Sequence, residues 1–405
     1  MEYQGIEYLR RKLAAKQSRV ALRYKYYEMK NRVKDFNITI PAQWNWLTAS
    51  LGWSAKAVNA IADRLVFNEF SKDNFALNQI FSMNSRDILM DSAILGACIS
   101  SCCFIYISKD ETGYPRMQVI DGYNATGIID TTTMLLAEGY AVLERDPKSD
   151  AVNLEAYFTA EETYFIDRIN RTEFAIPNPA PYALLVPVIY RPDAKRPFGH
   201  SRISRACMEI QQGALRTMKR AEVSAEFYSF PQKWITGMSQ DAEMLDRYKA
   251  TVSSLLQFTK DDEGDKPTVG QFQQASMAPL MEQLKIHASL FAGETGLTLD
   301  DLGFAGDNPS SAESIKATHE NLRNEARKAQ RTFGSCFLNA GYLAACVRDD
   351  YVYERRQFYL TTPRWEPIFE PDASQLSGIG DAVNKVQQSF PDYFTEEKLH
   401  DMTGI

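Results

Sequence analysis

Apolar positions along this chain change their spacing several times, and each change marks a different kind of element. Residues 3–35 are charged and rich in Lys, Arg and Tyr, a texture that predicts a helical segment ending before the turn-like Asn37 to Pro41. Ser54 reads as the N-cap of a helix that carries Val58, Ile61 and Leu65 on one face, and a second helix is predicted over Ser85–Leu95. From Cys98 to Tyr190 the pattern shortens. The β-branched and aromatic runs Cys103–Ile107, Arg116–Ile120, Gly139–Leu143, Val152–Phe158, Thr163–Ile166 and Glu173–Ile176 alternate with turn signals such as Asp110-Glu111-Thr112-Gly113 and Asp146-Pro147. That texture predicts an antiparallel sheet of meanders, so residues 1–200 read as an α+β domain.

Helical spacing returns after Gly199. Ile203, Cys207, Ile210, Ala214, Met218, Ala221 and Ala225 recur at steps of three and four, and Pro231 closes the segment. Residues 201–229 thus read as one amphipathic helix on the order of 40 Å long. Residues 230–276 form a small insert, with an apolar start at Trp234, a helix near Ala242–Phe258 and the acidic loop from Lys260 to Pro267. A second long helix over 277–295 carries Leu280, Leu284, Ala288 and Phe291 on one stripe, and a Gly- and Asp-containing loop follows to Pro309. Ser310 and Glu313 form a capping-box pattern that opens a third long helix, with Leu322, Ala326, Ala329, Phe333, Phe337 and Ala340 at coiled-coil-like spacing. Residues 351–362 read as a return strand, and the tail beyond Pro367 as a short helical segment.

Composition narrows the function. The 405 residues, 44% hydrophobic and 24% charged, suit two or three globular domains with a sizeable core. The net charge of −7 excludes a protein that grips nucleic acid over a broad basic surface, so any such contact is local or built to let the polymer slide. Cys98, Cys102, Cys103, Cys207, Cys336 and Cys346 make no CxxC pair and read as small buried hydrophobes in a reducing compartment. Met1 to Val20 is charged throughout, unlike a signal peptide, and the 17-residue uncharged run Ser92–Ser108 is too short and too polar to span a membrane. It reads instead as a helix end followed by a buried strand. A cytoplasmic origin is expected.

Catalytic chemistry finds no support in the spacing. His200, His287, His319 and His400 do not recur with Cys, Asp or Glu as metal ligands do. The chain has no Gly-Lys-Ser/Thr phosphate loop, no GxSxG and no dinucleotide loop. Asp300-Asp301 and Asp261-Asp262-Glu263 have the chemistry to hold a hard cation, but exposed acidic turns do so incidentally far more often than functionally. No catalytic residue, metal site or cofactor is expected, and no enzyme.

Three stretches carry a family likeness. The first is Leu184-Leu185-Val186-Pro187-Val188-Ile189-Tyr190-Arg191-Pro192, followed by Phe198-Gly199-His200-Ser201-Arg202-Ile203. The second is Ala225-Glu226-Phe227-Tyr228-Ser229-Phe230-Pro231-Gln232-Lys233-Trp234. The third runs from Gly296-Leu297-Thr298-Leu299-Asp300-Asp301-Leu302-Gly303-Phe304 through Asn308-Pro309-Ser310-Ser311-Ala312-Glu313-Ser314-Ile315. In this order, each at a predicted structural transition, the chain resembles the portal proteins of tailed double-stranded-DNA bacteriophages, in the long-tailed branch, from about Trp44 to Tyr359.

The resemblance implies a portal fold. An α/β wing would comprise residues 1–200, with the long helix and return strand of 310–366. Stem helices would lie at 201–229 and 277–295, a small α/β clip at 230–276, a tunnel loop at 296–309 and a short helical crown-like tail at 367–405; the likeness is poor over the tail. It also implies a homo-oligomeric ring, usually of twelve subunits, at a capsid vertex of the virion, assembled in the host cytoplasm and acting as the channel for DNA packaging and ejection. Implied partners are further copies of the chain, double-stranded DNA held transiently and without sequence preference, the terminase large subunit, a head-completion or adaptor protein, and the major capsid and scaffolding proteins, with no membrane.

On that reading Thr298, Asp300, Asp301, Phe304, Asp307 and Asn308 would face DNA. Loop 294–308 contains Glu294, Asp300, Asp301 and Asp307 with no Lys or Arg, a formal −4 that would repel phosphate near the wall rather than hold it. Without the family, a solvated acidic loop is the simpler account. Lys316, Arg323, Arg327 and Arg331, at steps of seven, four and four, would meet DNA or, ahead of it, a neighbouring subunit; an ordinary solvated face is the plain alternative. Ile203, Ile210, Met218, Leu280 and Leu284 would make the stem's inter-subunit seam, with Arg202, Arg205, Arg216, Lys219 and Arg220 in salt bridges between subunits. Trp234, Arg247, Lys249, Asp261 and Asp262 would be the clip's contact with the motor and adaptor. The main rival is an α+β protein-binding module whose long helices form an antiparallel hairpin; a remoter one is a metal-dependent enzyme acting on nucleic acid.

Overall fold

The computed structural model describes residues 3–34, 47–229, 233–236, 268–271, 276–304, 317–369, 373–391, 393–395 and 398–399. The chain is of mixed helix and sheet and divides into two compact units, one of residues 1–31, 52–208 and 292–405, the other of residues 32–51 and 209–291.

The first unit opens with α1 (Ile6–Tyr27), whose Leu9, Leu13 and Val20 are buried at helical spacing. Leu9 and Leu13 meet Tyr140 and Val142, flanked by Ile6, Ile128, Val152 and Tyr157. Burying each such side chain contributes about 1.5–3 kcal/mol relative to exposure. Helix α2 (Trp53–Ala62) buries Val58 and Ile61, as the pattern predicts. Its N-cap, however, is Gly52; Ser54 lies inside the first turn and is fully buried. Strand β1 (Phe67–Ser71) and helix α3 (Leu77–Ser82) precede α4 (Arg86–Ser100), which ends two residues before β2 (Cys102–Lys109). The uncharged run 92–108 is thus a helix end and a buried strand.

The predicted strands divide between two antiparallel sheets. Strands β4 (Ala125–Ile129), β5 (Leu136–Arg145), β6 (Val152–Phe158), β7 (Glu162–Asp167) and β8 (Thr172–Pro177) form a five-stranded meander in chain order. Strands β3 (Pro115–Ile120), β2 and β9 (Leu185–Ile189) form the other sheet, with β2 in the middle. Every residue of β9 is buried, which is why its sequence is continuously apolar rather than alternating. Pro187 lies opposite Phe104 and has no N–H to donate; it is tolerated because β9 is an edge strand paired only with β2.

Helix α5 (Arg205–Ser229), helix α6 (Ala278–Thr295) and helix α7 (Glu320–Asp349) are the three long helices that the apolar periodicity predicts. Helices α4 and α7 both pack on the three-stranded sheet. The buried positions of α7 include Leu322, Ala326, Ala329, Phe333, Phe337 and Ala340, and Phe337 joins Phe67, Phe81 and Trp365 in an aromatic cluster. The expected capping box at Ser310 and Glu313 lies outside the described residues.

The return strand is displaced from its predicted place. Glu354 and Gln357 form a capping box that starts a 3₁₀ turn at Arg355–Phe358, and Phe358 is buried against Phe75 (stacked, 3.8 Å) and Tyr342. Pairing begins only at β12 (Thr362–Trp365), antiparallel to β1 with Phe67 opposite Trp365. Helix α8 (Ala373–Ser389) follows.

In the second unit two adjacent glutamines of α5, both buried, hold the 32–51 segment. Gln212 donates to the Arg32 carbonyl at 3.0 Å and accepts from Lys34 N at 2.9 Å, while Gln211 donates to the Leu51 carbonyl at 2.6 Å. The same unit holds a two-stranded antiparallel sheet of β10 (Lys233–Thr236) and β11 (Thr268–Gln271). The helix predicted near Ala242–Phe258 lies outside the described residues. All six cysteine thiols of the chain are buried, and burial pushes that of Cys98 up to about 12.

Candidate nucleic-acid interface

The loop that follows α6 is a tied turn. Leu297 and Leu302 are its buried anchors. Between them the Asp301 carboxylate accepts hydrogen bonds from Thr298 N (2.8 Å) and Thr298 Oγ1 (2.9 Å), and Asp301 N donates back to Thr298 Oγ1 (3.2 Å). Leu299 O accepts from both Leu302 N and Phe304 N, and Gly303, at φ +90°, donates to Asp300 O. His319 Nε2 reaches Asp301 Oδ2 at 3.0 Å, Lys56 Nζ donates to Asp301 O at 2.8 Å, and Phe304 meets Trp53 edge-on at 6.5 Å. Burial alone would raise the Asp301 pKa; the hydrogen bonds from Thr298 and His319 outweigh it and hold the carboxyl below its ordinary range.

The root of this turn is fixed by a buried polar hub. Arg202 donates through Nη2 to Thr295 O, through Nε to Ala57 O (3.1 Å), and through Nη1 to Glu325 of α7. The second Glu325 oxygen accepts from Tyr190 OH at 2.7 Å and Arg191 Nη1 at 3.0 Å. Arg202 is 6% exposed, so the expectation that it forms a salt bridge between subunits is corrected: it is spent inside its own chain. Sequence spacing carries no sign of the hub, because Arg202 and Glu325 belong to elements far apart in the chain.

The remaining candidates separate by environment. Asp300 is exposed, whereas Thr298, Asp301 and Phe304 are half-buried and engaged in the turn. Asp307, Asn308 and Lys316 lie outside the described residues, as do Arg247, Lys249, Asp261 and Asp262. Trp234 is in β10, opposite Gly270. Arg323 pairs with Glu320 at 3.5 Å, while Arg327 and Arg331 are exposed and line an open groove of about 820 Å³ with Lys328, Pro363 and Trp365. Lys328 falls outside the steps of seven and four that link Lys316, Arg323, Arg327 and Arg331.

Ile203 precedes α5 and is 1% exposed within the first unit. Ile210, Met218, Leu280 and Leu284 are half-buried. On α6 the side filled by its own chain carries Ala288 and Phe291, yet Met281, Ile286 and Leu290 stand 53–56% exposed. The stripe of Leu280, Leu284, Ala288 and Phe291 does not include these three, whose signal in the sequence is the surplus of apolar residues around that helix. Among the described residues no group of three or more His, Cys, Asp or Glu is placed to hold a metal, and no helix is long and apolar enough to cross a membrane.

The family model described as "Phage portal protein, SPP1 Gp6-like" matches residues 6–355. The portal protein of Mycobacterium phage L5 is 25% identical over 344 residues, covering 79% of this chain and 69% of its own, and that of Mycobacterium phage D29 is 26% identical over the same length and coverage. A solved chain from the neck of an empty GTA particle is similar at a TM-score of 0.42 with 11% identity, covering 87% of this chain and 90% of that one. The chain belongs to the SPP1 Gp6-like family of phage portal proteins.

Proposed function

We propose that copies of this chain close into a ring, of twelve subunits, at one vertex of the phage capsid, and that DNA crosses the ring's axis during packaging and ejection. Family membership supports the role, and the observation that carries the ring is the exposed apolar pair Ile286 and Leu290, four residues apart on the side of α6 away from Ala288 and Phe291. A helix whose far side is apolar and in water is incomplete alone; in a closed ring every copy offers the next one a partner and no edge is left over.

In this reading residues 1–200 and 310–366 are the wing, 201–229 and 277–295 the stem, 230–276 the clip and 296–309 the tunnel loop. Residues 367–405 form a small crown. The clip docks the terminase large subunit and later a head-completion or adaptor protein, and the wing meets capsid and scaffolding proteins. The role is structural, without catalysis or cofactor. Asp300 is the described acid best placed to present charge to the channel, since Asp301 is consumed by Thr298 and His319.

Native mass measurement on the purified chain tests this. The expected particle is roughly half a megadalton, twelve times 45.9 kDa, and images down its axis show a central hole. Monomer alone at every salt and protein concentration would refute the ring.

A further inference from the structure

Helix α1 places Lys12, Lys16, Arg19 and Arg23 at steps of four, three and four, so all four lie along one side of the helix. With Arg196 they line a cavity of about 490 Å³, whose wall also includes Ser100, Ser101 and Thr126. Five cations share one concavity.

Among the described residues none of the five side chains forms an ion pair with a carboxylate. Lys12 Nζ donates to Gly127 O at 2.7 Å, Lys16 Nζ to Ala125 O at 2.6 Å and Arg23 Nη1 to Ser100 O at 2.9 Å. Carbonyl oxygens satisfy hydrogen bonds but carry no net charge. Lys12 also sits over the Phe198 ring and Lys16 over Phe104. Three carboxylates lie near this group: Asp121 acts on Lys16, Glu138 acts on Lys12, and Asp193 accepts from Arg196 N at 2.7 Å and pairs with His200, whose Nδ1 is 3.5 Å from Arg196 Nη1; among the described residues none of the three forms an ion pair with any of the five side chains. Asp121 is turned toward Asn124, and Glu138 toward Tyr157 and the backbone of Gln4 and Gly5. Burial lowers the pKa of Lys12, Lys16 and Arg23, and mutual repulsion adds to it: Lys16 acts on Lys12, Arg19 on Lys16 and Arg23, and Arg196 on Arg23. Assembling like charges in a desolvated pocket is costly unless an anion completes it.

We propose that this cavity binds a small, multiply charged phosphate anion. Its volume is that of a small-ligand site. Its donors are two lysine ammoniums and three guanidinium groups, the set that recognises phosphate oxygens, and no carboxylate lines the wall to repel them. The site lies within the first unit and shares no lining residue with the tunnel loop or with the groove of Arg327 and Arg331.

The test is calorimetric titration of the full-length protein with inorganic tripolyphosphate at constant ionic strength, alongside Arg19→Gln/Arg196→Gln. Both arginines are exposed at the rim, so the variant should keep the wild-type melting temperature in chloride. Saturable binding by the wild type, weakened at least tenfold in the variant, is expected. No binding, equal binding by both proteins, or equal heat from sulfate at matched ionic strength would overturn the site. Two further outcomes would also overturn it: a polyglutamate peptide or a short DNA duplex binding through these arginines while tripolyphosphate does not. They would give the pocket to a protein segment or to nucleic acid.

Discussion

Arg202 and Glu325 are 123 positions apart in the chain and meet as an ion pair whose arginine side chain is 4% exposed and whose glutamate is 17% exposed. The pair joins the segment before α5 to α7, and through Thr295 O it also holds the end of α6. Removing Glu325 would strand a buried guanidinium. Glu325→Ala should therefore destabilise the first unit by about 3 kcal/mol, read as a lower denaturant midpoint; a loss below about 1 kcal/mol would mean that water replaces the carboxylate without cost.

Asp301 gives the turn a pH signature. Its pKa is held below the ordinary 3.8, so its stabilising effect is full above that value and fades as pH falls through the folded-state pKa. Denaturation between pH 5 and about 2 should show a steeper stability loss in the wild type than in Asp301→Asn. At neutral pH the variant should lose about 1–2 kcal/mol from weakened charged hydrogen bonds.

Asp300 is the exposed acid of the turn, so its charge meets solvent. Asp300→Lys should leave melting temperature and ring mass unchanged while lowering the amount of DNA packaged or retained in assembled particles. Wild-type packaging by this variant would show that the loop's charge at this position plays no part.

Ile286→Asp addresses the ring. The side chain is 55% exposed, so the change should alter monomer stability by within about 0.5 kcal/mol yet prevent assembly. Light scattering at equal protein concentration distinguishes the two states, and an intact ring would place the seam on another face.

Gly334→Ala inverts the usual helix rule. In an open helix Ala exceeds Gly by about 1 kcal/mol. Here a Cβ at residue 334 would stand 2.5 Å from Pro363 Cγ, part of a ring that cannot swing away, where α7 crosses β12. Overpacking should win, with a net loss of about 1–3 kcal/mol in thermal unfolding.

What the sequence made legible was periodic. The three long helices, the meander and the helix-to-strand passage at Ser100–Cys102 follow from spacing that one element dictates by itself. The sheet's division in two did not, because β9 pairs with β2 across more than 70 intervening residues, and a run of five apolar residues does not name its partner. Residues 351–362 alternate like a strand, yet the Glu354–Gln357 capping box and the pocket for Phe358 claim the first half for a turn. Site residues were harder still. Charge counting treated Asp300 and Asp301 alike, and only the fold shows that Thr298 and His319 take one of them out of play.

The turn after α6 also has a mechanical character. Thr298 and Asp301 brace it internally, His319 and Trp53 clamp its outer half, and Arg202 rivets its root to α7. A structure so braced is stiff. A push on the turn would therefore be carried through Arg202 and Glu325 to α7 rather than taken up by bending of the turn itself.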